Sequence, residues 1–248
     1  MNKSRAVLSH LWPSLLVLAI ISGLILFAWY PYPFLQFEDS GKFSLALIII
    51  ACFIGPALTW LVYKKGKRSL VPDLVIVVLI QVAALTWGVY TIYQNRPYFM
   101  VFTVNQFEVL SIHEVNSYEI RNPEFMDKPL SGPILLYANM PVAGPGFQRL
   151  LREIMIEGRP DIQFRPEYWS LYSQRQQLVL KSSRPLLELR DARPESVIKI
   201  DKLVKNNGGN IADLSYVPAL LPNGHFAAIL DAHSGEVIDN LVIDPWLD

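Results

Sequence analysis

The sequence predicts an α+β membrane protein, with a three-helix transmembrane bundle in residues 1–96 and an α+β domain with antiparallel strands in residues 97–248. Composition is the first reason. The chain is 52% hydrophobic and 18% charged, whereas soluble domains are usually about 45–50% apolar and about 25% charged. The second reason is that the long apolar runs all lie before residue 95, and the third is that shorter helix-like and strand-like segments follow them.

Three apolar runs have close to the roughly 20 residues that a helix needs to cross the hydrocarbon layer. They cover about residues 11–30, 43–63 and 74–93, and none contains a charged residue. A backbone in lipid must satisfy its own hydrogen bonds, so each run is predicted to be a helix. Pro13 and Pro72 lie near the expected first turns of the first and third runs, where a missing N–H is harmless.

The first run is about twice as long as the apolar part of a typical signal peptide, and no small-residue cleavage site follows it. We therefore expect a retained anchor. Basic residues are found at Lys3, at Arg5 and in the loop 64–68, whereas the loop between the first two runs has a single Lys42 beside acidic residues. The positive-inside rule then predicts a cytoplasmic N-terminus.

This orientation places residues 97–248 of the expected multi-pass protein outside the cytoplasm, which is the periplasm in a Gram-negative bacterium. The basic loop 64–68 has an alternative interpretation as a patch for lipid headgroups or nucleic acid. We favour its role in fixing the topology, because the loop is short and lies between two spans.

The residues from Gln94 onward carry 15 Lys and Arg against 19 Asp and Glu, a net charge of −4, so we expect no nucleic-acid partner. Alternation of apolar residues predicts early strands, 3.6-residue periodicity predicts helices, and turn residues predict a final meander. The expected elements are strands at 98–103, 107–112 and 134–138 with a turn at Asn105-Gln106, helices at 147–156, 168–180 and 195–205, and strands at 216–220, 226–231 and 237–243.

We predict no catalytic, metal or cofactor site, because the four histidines and the single cysteine form no known ligand or nucleophile motif. The nearest candidate for a metal site is the set Asp231, His233 and Glu236. These residues fall on a predicted hairpin turn, where Asp, His and Ser are common for conformational reasons. We therefore interpret them as turn residues and expect the protein not to be an enzyme.

Gln81 is the one strongly polar side chain deep within the predicted spans. Its amide requires a partner, either on another span of this chain, with Ser22, Thr59 and Thr86 as candidates, or on the helix of a client. Cys52 is expected to pack as a small apolar residue. The step Gly55-Pro56 in the second run fits either a binding groove or a static kink.

Several segments of the N-terminal region carry a resemblance to a known family. They are FAWYPYPF at residues 27–34, GPALT at 55–59 and the long third run at 72–102. In the third run the matching residues are Asp73, Gln81, Ala84-Leu85, Gly88 and Arg96-Pro97. With these motifs the chain resembles the type IV pilin accessory proteins of the TfpX/TfpZ group, with FimB as a relative. One departure is the apolar stretch 51–54, where the family often has an acidic residue.

The resemblance implies an inner-membrane protein that assists the stability, assembly or surface display of a cognate type IV pilin, with the pilus assembly machinery as a further partner. We then expect the spans to contact the apolar helix of the pilin within the lipid bilayer, and the periplasmic domain to contact the pilin head. The partner-binding residues expected on this basis are Gly55, Pro56, Gln81, Gly88 and Arg96.

Two other functions remain open at this stage. One is a membrane-anchored periplasmic sensor or scaffold for another envelope system. The other is an enzyme on a lipid-linked substrate, whose catalytic groups meet only in the fold; a deep polar pocket near Arg96 is the feature that favours it.

Overall fold

The computed structural model describes residues 3–37, 48–64, 67, 69–115, 119–127 and 129–247. The chain divides into two compact units. The first contains residues 1–31 and 38–96, and the second contains residues 32–37 and 97–248.

The first unit is helical throughout its main elements. Helix α1 covers Lys3–Leu24 and continues as a π-helical turn at Ile25–Trp29. Helix α2 covers Gly55–Val62, after a π-helical turn at Ile50–Ile54, and helix α3 covers Leu70–Gln94. Because α1 begins at Lys3, Pro13 lies inside this helix rather than in its first turn, contrary to the sequence expectation.

Among the residues that the structure describes, two helices are long and apolar enough to cross a membrane, Leu11–Trp29 and Leu70–Gln94. Only 6% and 11% of their most apolar windows are buried, whereas the core helix of a soluble domain is mostly buried. This exposure indicates an association with a membrane. Residues 43–47 of the predicted middle span lie outside the described residues, and its described part is a short apolar helix, so the third span stays a prediction.

The contacts of α1 and α3 show that these two helices run in the same direction. Ser14 meets Gln81 near the start of the pair, and the hydroxyl of Tyr30 donates to the carbonyl of Ile92 near its end, at 2.8 Å. Helix α2 packs against both.

The second unit is built on an eight-stranded sheet with the order β4-β3-β1-β2-β6-β7-β8, in which β5 pairs with β6. Neighbouring strands are antiparallel except β1 with β3 and β2 with β6, which are parallel. The antiparallel strands expected from the sequence are present, and the two parallel pairings are an addition that makes the sheet mixed. The strands are β1 Pro97–Thr103, β2 Gln106–Ser111, β3 Ile134–Ala138, β4 Trp169–Leu171, β5 Arg184–Pro185, β6 Leu214–Leu221, β7 Gly224–Asp231 and β8 Val237–Leu241.

In the described part of this unit, four helices accompany the sheet: α4 Gly144–Met155, α5 Gln176–Leu180, α6 Leu186–Ala192 and α7 Val197–Asn206. The predicted helices at 147–156 and 195–205 are confirmed. The predicted helix at 168–180 is wrong in its first half, which forms β4 against β3. Trp169 explains the difference, because its ring packs against Phe99 and Phe125 in the core.

The turns follow the prediction with one shift. The β1–β2 turn is at Val104-Asn105, one residue earlier than expected, because Thr103 pairs with Gln106. The β6–β7 and β7–β8 turns are where the sequence places them.

Two hydrophobic clusters lie in the second unit. The cluster around β1 and β3 includes Leu150 of α4, and the cluster around β6 and β7 receives α6 and α7. All seven residues of β1 are buried, as expected for a strand that is covered on both faces. The two clusters lie at different places along one continuous mixed sheet, and helices pack on the sheet at both places.

A buried ion network joins α4 to the segment that follows it. Arg165 is 2% exposed and Glu153 is 4% exposed, and one guanidinium nitrogen of Arg165 donates to the Glu153 carboxylate at 2.6 Å. The Nε of Arg149 donates to the other Glu153 oxygen at 2.7 Å. Together these hydrogen bonds lower the pKa of Glu153 to about 2, and the bond from Arg149 has the larger effect.

The segment Tyr32–Phe37 belongs to the second unit, although it lies between helices of the first unit in sequence. Phe34 is 3% exposed, and its ring meets that of Phe226 on β7 edge-on at 5.8 Å. Phe37 stacks on the same ring at 6.3 Å. The motif at residues 27–34 carries the family resemblance, but nothing in it predicts this packing against β7.

Candidate functional site

An open groove lies between α1 and α3 in the first unit. It consists of two adjoining clefts, of about 320 Å³ and about 420 Å³, which share Val17, Val82 and Leu85. We call the pair the helical groove. Its further lining residues are Ser9, Pro13, Ser14, Val78 and Gln81 in the first cleft, and Ile21, Trp29, Thr86, Val89, Tyr90 and Tyr93 in the second.

A polar contact lies on the floor of this groove. The side-chain amide of Gln81 donates to the hydroxyl of Ser14 at 3.3 Å, and Gln81 is 7% exposed. The interpretation that Gln81 has a partner on another helix of this chain is confirmed. The partner is Ser14 rather than the candidates Ser22, Thr59 and Thr86, of which Thr59 donates instead to the carbonyl of Gly55 at 2.9 Å.

Aromatic rings close the groove at its Trp29 end. The ring of Trp29 meets that of Tyr93 at 5.1 Å in a T-shaped arrangement. The guanidinium of Arg96 lies 3.5 Å above the centre of the Tyr93 ring, and it also donates to the Tyr93 carbonyl at 3.2 Å. A cation over an aromatic face is attracted by the ring quadrupole. Arg96, which is 6% exposed, thus holds the end of α3.

The structure brings some of the predicted partner-binding residues together and separates others. Gln81 lines the helical groove, while Arg96 is adjacent to the ring of Tyr93, which lines it. Gly88 is half-buried on α3. Gly55 and Pro56 are buried at the start of α2, directly after a π-helical turn, so the local geometry is that of a helix irregularity. Contact of these five residues with a partner stays a prediction.

The groove also contains residues that sequence reasoning missed. Ser14, Val17 and Val82 gave no motif, because a small or apolar residue in a span has no distinctive pattern. The signal that was available is the pair of polar residues in different spans, Ser14 and Gln81, since lipid favours their mutual hydrogen bond.

Asp231, His233 and Glu236 form a turn, as interpreted. One Asp231 oxygen accepts from the backbone N–H groups of Ser234 and His233, at 2.7 Å and 3.0 Å. The hydrogen bonds from Ser234, followed by that from His233, lower the pKa of Asp231. Within the described part of the chain, no group of three or more His, Cys, Asp or Glu side chains is placed to hold a metal ion.

Comparison with known proteins gives three relatives, all from Dichelobacter nodosus. The fimbrial assembly protein of serogroup I is 30% identical over 202 residues, which cover 76% of this chain and 76% of the relative. The fimbrial assembly protein of serogroup E1 is 29% identical over the same length. That of serogroups C1 and C2 is 35% identical over 119 residues, or 45% of this chain and 91% of the relative. No family model and no solved structure matches the chain.

Proposed function

The chain belongs to the family of fimbrial assembly proteins, and on that basis we propose that it is an inner-membrane accessory protein that helps a cognate type IV pilin reach the cell surface. The observation that carries this proposal is 30% identity with the serogroup I fimbrial assembly protein over 76% of both chains. In this proposal the protein is not part of the fibre.

The helical groove is the surface that we assign to the pilin helix. From Val78 to Tyr93 it follows α3 for roughly 22 Å, at 1.5 Å per residue. This is about four helical turns, and about three quarters of the hydrocarbon thickness. Its walls are mainly apolar, and Ser9 and Ser14 are small enough to allow close approach. The groove thus suits one apolar helix lying along α1 and α3.

The polar contact between Gln81 and Ser14 has two roles in this proposal. It fixes the separation of α1 and α3 at the groove floor, and it offers amide and hydroxyl groups to a helix in the groove. Polar side chains make useful contacts between helices in lipid because water does not compete there.

The second unit contacts the globular head of the pilin in this proposal, on the periplasmic side of the inner membrane. The protein acts by binding and releases pilin unchanged to the assembly machinery. We accordingly propose that it is not an enzyme, in line with relatives that are named for assembly.

Deletion of the gene tests the function directly. We expect surface pili to fall while total cellular pilin stays normal, if the protein supports assembly. A fall of both would place its role in protecting pilin from proteolysis. Unchanged surface pili would contradict the proposal.

Crosslinking in native membranes separates this function from the alternatives. One dominant adduct with pilin, formed from a photoreactive residue at Val82, supports the proposed groove. A sensor, a scaffold or an enzyme for another envelope system would give adducts without pilin.

The substitution Gln81→Leu tests the role of the groove floor. We expect normal membrane insertion and about threefold less pilin co-purifying, since polar contacts in membranes average about 0.6 kcal/mol. The matched control is Thr91→Val, because the Thr91 hydroxyl bonds to the carbonyl of Trp87 in its own helix and does not line the groove. Equal recovery of pilin with both variants would show that the Gln81 side chain does not contribute to pilin binding.

A further inference from the structure

Helix α4 exposes apolar side chains on a face that its periodicity assigns to the core. Leu150 is 3% exposed, whereas Leu151 is 40% exposed and Met155 is 79% exposed. An inward position on this helix is instead taken by Glu153, which bonds to the buried Arg165. Part of the apolar face of α4 is therefore open to solvent.

A cleft of about 490 Å³ lies along this open face. Its walls are α4, the turn of the β1–β2 hairpin and the short 3₁₀ turn Ile162–Phe164. We call it the α4 groove, and its defining residues are Val104, Met140, Leu151, Ile154, Glu108 and Asp161.

Two carboxylates give the α4 groove an acidic character. Glu108 is half-buried and accepts from the Gln106 amide at 3.3 Å, and Asp161 accepts from the backbone of Ile162 at 2.7 Å. No ion pair of the described residues includes either carboxylate. Burial raises the pKa of Glu108, and the charge of Asp161 adds to the rise. A cation beside these two groups would relieve their repulsion.

The hairpin turn contributes a strained apolar residue to the groove. Val104 has a φ of 50° and is 66% exposed. A β-branched residue rarely adopts this left-handed conformation, and such strain concentrates at binding sites. The turn places an apolar side chain at the rim of the groove, although a glycine would adopt this backbone conformation with less strain.

We propose that the α4 groove binds a segment of a partner protein that places an apolar side chain against Leu151 and Ile154 and a lysine or arginine beside Glu108 and Asp161. The net charge of −4 from Gln94 onward favours a basic segment and disfavours anionic lipid headgroups. The proposed function assigns a contact with the pilin head to the second unit without giving its place; this inference names one binding site in that unit and the chemistry of its ligand.

The test is a selection from a random twelve-residue peptide library on the full-length protein in phosphatidylcholine nanodiscs. Peptides that bind empty nanodiscs are removed first, and peptides that also bind the Leu151→Glu variant are removed next. We expect the remaining peptides to combine an apolar residue with Lys or Arg within a few positions.

The enriched peptides are then measured against variants by nuclear magnetic resonance of ¹³C-labelled methionine methyl groups. Met140 lines the groove, so we expect its methyl signal to shift on binding. Glu108→Gln combined with Asp161→Asn should weaken binding about tenfold. The control Ile198→Glu changes an 84% exposed residue on α7 and should bind as wild type.

The result that supports the proposal is a saturable shift of Met140 with a basic apolar peptide, weakened by the charge variants and unaffected by Ile198→Glu. A selection without enrichment, enriched peptides that lack Lys and Arg, or equal binding to the charge variants would overturn it. A failed α4 groove leaves the gene-deletion result unchanged, so the two proposals are tested separately.

Discussion

Glu153 is buried although ionised carboxylates are rarely fully buried unless they are paired. Its position on an amphipathic helix was predictable, because Leu150 and Ile154 flank it at helical spacing. Its burial was not, since Arg165 lies on a separate segment and nothing local connects the two residues. A charge that is paired through tertiary contacts has the same sequence pattern as a solvated one.

The Glu153 network predicts a specific dependence of stability on acid. The pKa of Glu153 falls from 4.5 to about 2 on folding, so its stabilising contribution is complete above pH 4.5 and is lost as the pH falls toward 2. Urea unfolding of the wild type and of Glu153→Gln across this range measures it. We expect the difference in the free energy of unfolding between the two proteins to decrease as the pH falls. A difference that stays constant would contradict the lowered pKa of Glu153.

Gly235 is required in the β7–β8 turn for two reasons. Its φ is 75°, and a Cβ there would lie 2.8 Å from the carbonyl oxygen of Gln176. We expect Gly235→Ala to lower the free energy of unfolding by about 1–3 kcal/mol or more. Gly158→Ala is the control, because its φ is 68° and a Cβ would meet nothing within 4 Å. Thermal melts in which both variants lose the same stability would exclude a steric contribution.

At the scale of elements, local signals predict most helices and hairpins of the second unit. Turn residues place the β6–β7–β8 meander, and periodicity places α4 and α7. The parallel pairings β1–β3 and β2–β6 escape such signals, because alternation reports which face of a strand is buried and not which strand lies beside it. The error at β4 has the same origin, since its three residues form a strand only against β3.

The segment Tyr32–Phe37 is predicted to contribute strongly to the stability of the second unit. Phe34→Ala removes a ring that is 3% exposed against Phe226, and we expect a loss of about 3–5 kcal/mol. Leu130→Ala is the control, because Leu130 is 95% exposed. Limited proteolysis of the purified full-length variants gives the measurement. Equal resistance of both variants would show that the segment is not a structural part of this unit.

At the scale of the molecule, hydropathy locates two apolar helices, and the rarity of polar side chains in the spans singles out Gln81 on one of them. The helical groove itself was not predictable, because its width depends on how α1 and α3 pack. A span pattern gives the length of a helix and its average environment. It does not give the face that each helix turns toward its neighbours.

The orientation of the chain is open to a direct test. In a Cys52→Ser background, Ser4→Cys and Asn223→Cys place single thiols near the N-terminus and in the exposed β6–β7 turn. With a cytoplasmic N-terminus and a periplasmic second unit, a membrane-impermeant maleimide should label only Asn223→Cys in spheroplasts. Labelling of Ser4→Cys before permeabilisation would show that the N-terminus is outside the cytoplasm and that the topology is the reverse of the one proposed.

The packing of Tyr32–Phe37 on the last strands has a consequence for biosynthesis. The backbone N–H of Val242 donates to the hydroxyl of Tyr32 across 210 positions of sequence. The ribosome therefore makes residues 32–37 long before β7 and β8, and the aromatic side chains of this segment stay exposed until translation is almost finished. A fragment that starts at Pro97 lacks residues 32–37, so we expect Phe226 to be exposed in it. We expect this fragment to aggregate unless a peptide of residues 32–37 is added.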